Sequence, residues 1–98
     1  MENEQKKVVN TSGTTCGREM TFGEKAVGLT FNPSNDPKVQ NIKVLCAAVI
    51  DELNKLREEQ KECENDGGNS ERIRMYSVAI TELQTAQMWG VKAATWKV

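Results

Sequence analysis

Two stretches of the chain carry apolar residues at helical spacing. In the first, Val39, Ile42, Leu45/Cys46, Val49, Leu53 and Leu56 recur at steps of three and four. Polar Gln40, Asn41, Lys43, Asp51, Asn54 and Lys55 fill much of the remainder, the pattern of an amphipathic helix. Ser34-Asn35-Asp36 offers oxygens for the first unpaired N–H groups, and Pro37 suits the first helical position, so this helix is predicted to start at Asp36 or Pro37. Its far end, Arg57-Glu58-Glu59-Gln60-Lys61-Glu62-Cys63-Glu64, lacks a large apolar residue and is expected to project into solvent. Asn65-Asp66-Gly67-Gly68-Asn69 then reverses the chain, its glycines supplying positive φ.

The second helix is predicted from Ser70 as N-cap, with Glu71 in its first turn, to about Ala94. It carries two stripes. Ile73, Tyr76, Ile80, Leu83 and Gln87 form one; Met75, Ala79, Glu82, Ala86, Trp89, Ala93 and Trp96 form the other. One neighbouring helix can cover only the first, which leaves the second to pack on other subunits. Residues 1–21 show neither helical nor strand periodicity and read as a disordered or mobile arm. Residues 22–98 are then a connector plus helical hairpin, with the connector from Thr21 to Pro33, which holds two glycines and a proline, expected to be irregular or extended. The predicted fold is all-α: an antiparallel two-helix hairpin with an irregular N-terminal arm, assembled as an oligomer.

Composition narrows the function. The 98 residues support one domain, with 13 Lys+Arg against 14 Asp+Glu, a net charge of -1 and no histidine. That balance does not fit a protein that coats duplex nucleic acid. Without imidazole, Ser-His and Cys-His nucleophile pairs and histidine-containing zinc sites are excluded. No carboxylate spacing brings two acids onto one bond, and there is no glycine-rich phosphate loop, so no enzyme activity, metal or cofactor is expected. Three cysteines without a CxxC read as free thiols. No apolar run approaches the roughly 20 residues of a membrane span, and the polar start is not a secretory signal, so no membrane partner and a cytoplasmic location are expected.

Several residues could hold an anion. Lys38 in the first turn of the first helix and Lys43 further along could together grip a phosphate, or both could be solvated lysines on a polar face. On either reading Lys43 sits on the polar face, so replacing it is expected to alter folding by no more than about 0.5 kcal/mol. Arg72 and Arg74 oppose the dipole at the start of the second helix, and could bind a ligand or pair with Glu58, Glu59, Glu62 or Glu64 across the hairpin. Thr81, Gln84, Thr85 and Gln87 could hydrogen-bond bases or ribose, or merely be hydrated. Phe31 could stack on a nucleobase or pack; Trp89 and Trp96 read as packing anchors.

The segments Gly28-Leu29-Thr30-Phe31-Asn32-Pro33, Ile42-Lys43 and Ala79-Ile80-Thr81-Glu82-Leu83-Gln84-Thr85-Ala86-Gln87-Met88-Trp89-Gly90-Val91-Lys92-Ala93 resemble the phage anti-defence hairpin sponges. These small helical proteins sequester the cyclic nucleotide signals of bacterial CBASS and Thoeris immunity. The resemblance implies a hexamer with pockets between protomers, working in the host bacterial cytoplasm. It gives Lys43 the lysine role and Phe31 the aromatic role toward a cyclic dinucleotide, and Thr81 with Arg74 a second pocket for cyclic trinucleotides. Lys38 and Gln84 join the candidate ligand residues. Cyclic ADP-ribose isomers rank behind these ligands, because the β-rich part that contacts them in anti-Thoeris members has no counterpart in the sequence pattern.

Overall fold

The computed structural model describes residues 19–62 and 69–97. The arm expected over 1–21 lies outside them except for its last three residues, and so does the reversal at 65–68. Three helices follow in chain order: α1 (Phe22–Ala26), α2 (Pro37–Glu62) and α3 (Asn69–Ala94). No strand occurs among the described residues. The α2–α3 pair is the predicted hairpin.

The connector departs from expectation, because it folds into a helix of 5 residues. Thr21 and Glu24 form a capping box: Glu24 N–H donates to Thr21 Oγ1, and Thr21 N–H donates to Glu24 Oε1, each at 3.0 Å. At the other end Leu29 N–H donates to Glu24 O at 3.0 Å and Gly28 N–H to Lys25 O at 3.1 Å, with Gly28 at φ 63°. This is a Schellman closure, which needs glycine's left-handed conformation. The glycines that argued against a helix include the one that ends it.

α2 starts as predicted, with Pro37 as its first residue and Lys38 N–H donating to Asp36 Oδ1 at 2.8 Å. Its charged far end does not simply project. Arg57 donates to Ser77 Oγ on α3 at 2.9 Å and to Asn54 Oδ1 at 2.7 Å, and lies 5.5 Å from the centre of the Phe22 ring. Asn69, the first residue of α3 and one earlier than Ser70, donates through Nδ2 to Gln60 O at 2.8 Å. Polar side chains join the helices where apolar ones run out.

The core is small: Ile50, fully buried, with Val27, Ala47 and Ile80, and with Leu29, Cys46, Leu53 and Leu83 packed around them. α1 and α3 both pack on α2. Having two neighbours shifts the buried line of α2 to Val39, Lys43, Ala47 and Ile50, and leaves Leu45 and Val49 of the predicted stripe exposed. On α3 the two predicted stripes separate. Ile80 and Gln87 are buried, Ile73, Tyr76 and Leu83 half-buried, while Met75, Ala86, Trp89, Ala93 and Trp96 are exposed. Lys92 sits 5.5 Å from the centres of both the Trp89 and Trp96 rings. The molecule is only 13 Å thick in its thinnest direction, about one helix diameter. No helix among the described residues is long and apolar enough to cross a membrane.

Candidate functional site

Lys43 is not on a solvated face. It retains 5% of its exposure, and its Nζ donates to Gly28 O at 2.9 Å and Phe31 O at 2.6 Å, both in the segment between α1 and α2. The position follows from helical geometry: Lys43 is four residues after Val39 and four before Ala47, so it shares their inward face. Burial pushes its ammonium below the ordinary lysine range. None of its partners is a carboxylate, so this buried cation is held by neutral groups alone. Two of its three N–H donors are spent on carbonyls, leaving one for a further acceptor.

Phe31 completes the unit. Its ring centre lies 5.4 Å from Lys43 Nζ, close enough for a cation–π attraction, yet the residue is 71% exposed. A flat ring beside a buried cation suits a ligand that is both planar and anionic, with stacking on the ring and a charge-assisted hydrogen bond to the ammonium.

The other sequence candidates are dispersed. Lys38 is exposed, lies 3.7 Å from Asp36, and lines a cleft of about 420 Å³ with Asn35, Trp96 and Lys97 at the open end of the hairpin. Lys43 does not line this cleft, being five residues and roughly 140° further round the helix. The two lysines do not converge within one protomer. Gln84 donates through Nε2 to Ala26 O at 3.0 Å, so its amide is committed to the end of α1. Thr81 is exposed on α3, and its carbonyl accepts from Thr85 Oγ1 at 3.2 Å. Arg74 lies two turns earlier on nearly the same side of the helix.

Arg74 pairs with its helix neighbour Glu71, its Nε lying 3.2 Å from both carboxylate oxygens. Hydrogen bonding to the guanidinium, and then its charge, hold the Glu71 carboxyl below its ordinary value; the same contacts raise Arg74. Arg72 reaches across the hairpin to Gln60 Oε1 at 3.4 Å. No group of His, Cys, Asp or Glu that could hold a metal ion occurs among the described residues.

Sequence reasoning missed the importance of Asp51, whose Oδ1 accepts from Gly23 N–H at 2.7 Å and ties α1 to α2. Its place within a polar face gave no signal. The signal for α1 itself was present in Thr21-x-x-Glu24, a capping-box spacing.

The family model for the Acb2/Tad1 hairpin domain matches residues 24–95, from within α1 to the residue after α3. The match contains Phe31, Lys38, Lys43, Arg74, Thr81 and Gln84. No curated protein and no solved structure matches the chain. With almost three quarters of its length covered by that match, the chain belongs to the Acb2/Tad1 hairpin family of phage anti-defence sponges.

Proposed function

We propose that this protein binds cyclic oligonucleotide second messengers and withholds them from their bacterial receptors without degrading them. The observation that carries this reading is the Lys43–Phe31 unit: a buried cation with no carboxylate partner, beside an aromatic ring left in solvent. Cyclic dinucleotides offer the two complementary features, flat bases and bridging phosphates. Stacking contributes about 1–3 kcal/mol per base, and a charge-assisted hydrogen bond to phosphate about 1.5–3 kcal/mol. Thr81 and Arg74 serve a cyclic trinucleotide in a second pocket, with Lys38 an auxiliary cation for phosphate.

One protomer leaves this site open, and the proposed assembly closes it. The exposed Met75, Ala86, Trp89 and Ala93 side of α3 is the surface on which copies of the chain pair, up to a hexamer. Introducing charge there, as in Ala86→Glu, lowers the mass seen by light scattering; unchanged mass would place the interface elsewhere. Working in the host bacterial cytoplasm, the assembly would reach its ligands as they are released.

Titration calorimetry against cyclic GMP-AMP, cyclic triadenylate and glycocyclic ADP-ribose tests the reading. Dinucleotide binding with Kd well below about 10 µM, roughly -7 kcal/mol, is expected, with the ligand recovered intact after the protein is denatured. If all three fail to bind at that level, the reading is wrong. A specific protein recovered on the Trp89/Trp96 surface, with no nucleotide retained, would favour an adaptor instead.

A further inference from the structure

We propose that Asp51 and Gln84 are positioning residues of the ligand site: without touching the ligand, they grip the two ends of α1 and so fix where Phe31 stands. The proposal rests on the sponge reading above, but concerns residues whose hydrogen bonds go to the backbone of α1. It begins from the size of α1. A helix of 5 residues has no stability of its own in water, whatever its caps. Its caps close it on itself, but its place on the hairpin must come from contacts with α2 and α3.

Those contacts are complementary to the helix. At its start, Gly23 N–H donates to Asp51 Oδ1 at 2.7 Å. This is the end where backbone N–H groups lack helical partners and a carboxylate is favoured by the dipole. Gly23 is buried so close to α2 that a Cβ there would run into the Ala47 carbonyl oxygen, which explains glycine at this position. At the other end, where carbonyls lack partners, the Gln84 amide donates to Ala26 O at 3.0 Å. Just beyond, Lys43 donates to Gly28 O and Phe31 O. An acceptor meets the donor end and donors meet the acceptor end, with Val27 buried at the C-cap.

Phe31 needs this arrangement because its own side chain does not hold it. At 71% exposure the ring has little packing, so its location is set by the backbone of residues 23–31. Loosening either grip spreads the ring over many positions, and the ligand must then pay for restoring one.

The full chain, in whatever assembly it forms, is titrated with cyclic GMP-AMP as Asp51→Ala, Asp51→Asn and Gln84→Ala, each with and without Phe31→Ala. Amide hydrogen exchange is followed in the ligand-free proteins. Asp51→Ala and Gln84→Ala are each expected to weaken binding about 10-fold, and to do so only while Phe31 is present, because residues acting through one another are non-additive. Asp51→Asn keeps an acceptor for Gly23 N–H and should stay within about 3-fold of the parent. Exchange at Val27, Leu29 and Phe31 should speed up in both alanine variants, with Ile50 and Ile80 unchanged.

Equal losses with and without Phe31, or unaltered exchange at residues 27–31, would overturn the positioning role; for Gln84 the first result would instead indicate direct ligand contact. Faster exchange at Ile50 and Ile80 as well would also overturn it, showing a general loss of stability. Failure of the parent protein to bind the nucleotide refutes the sponge reading, and with it the ligand role of Phe31. The exchange data then still decide whether the two side chains secure α1.

Discussion

The cations at Lys43 and Arg74 stand in opposite environments. Lys43 is buried, partnered by two carbonyls and a ring, and depressed in basicity by desolvation. Arg74 is exposed and already paired with a carboxylate one turn away. An incoming phosphate gains an uncompensated charge at the first, whereas at the second it must compete with Glu71 and with water. The difference teaches that a preformed anion site is marked less by positive charge than by positive charge without an internal counterion. It ranks the dinucleotide site proposed at Lys43 above the trinucleotide site proposed at Arg74, as the one with more of its parts assembled in a single protomer.

The comparison breaks most readily at Lys43. Lys43→Ala leaves Gly28 O and Phe31 O without their donor, at about 1–3 kcal/mol for each group that water cannot reach. A loss of roughly 2–4 kcal/mol is expected, seen as a lower midpoint in urea, together with weakened dinucleotide binding. This replaces the sequence-based expectation of unaltered stability. An unchanged midpoint would show that water satisfies both carbonyls and that the burial of Lys43 has little energetic weight.

Phe31→Ala separates ligand from fold. Because the ring is mostly in solvent, stability should stay within about 0.5 kcal/mol, while dinucleotide affinity drops about 5- to 150-fold, the equivalent of 1–3 kcal/mol of stacking. Calorimetry and thermal melting together check it; a fall in melting temperature with affinity intact would make Phe31 a packing residue.

Arg74→Gln should weaken cyclic triadenylate by about 10-fold or less and leave cyclic GMP-AMP alone, since the two proposed sites share no residue. Loss of both ligands from this variant would mean that the two pockets are one.

The smallest effects are in pH. Burial lowers Lys43 from its ordinary 10.5, so the unfolded chain binds more protons in the window between the lowered value and 10.5, and this group's contribution to stability rises as pH climbs through it. Dinucleotide affinity should fall over the same window as the ammonium deprotonates. Glu71 gives a slope of the same sign in the acid range: its depressed carboxyl contributes above its ordinary 4.5 and loses that contribution as pH falls through the folded value. Its full exposure makes the effect slight. Urea midpoints across both windows measure these slopes; a fall in the Lys43 contribution with rising alkaline pH would contradict its desolvation.

Much of this architecture was legible in the chain. The Asp36-Pro37 start, the two long helices and the divided faces of α3 follow from capping chemistry and from apolar steps of three and four. What escaped is the contribution of α1. A periodicity reading asks which residues are apolar, whereas α1 is held in large part by polar side chains on its backbone: Asp51, Gln84 and Lys43. In the sequence Asp51 reads as a hydrated position, and Lys43 and Gln84 read as hydrated or as ligand-binding, none of them as a support for a neighbouring helix. Leu45 and Val49 were misassigned for the same reason, since a second neighbour of α2 rotated the buried line away from them.

The thinness of the molecule bears on capacity. An enzyme clears many messengers per copy, but a binder neutralises no more than its number of sites, so its useful measure is sites per residue synthesised. A plate 13 Å thick, with five buried apolar residues among the described ones, commits little of its chain to an inside. Most side chains on α2 and α3 remain at a surface where a ligand or another protomer can meet them. Under the sponge reading, that geometry lets a chain of 98 residues compete by stoichiometry.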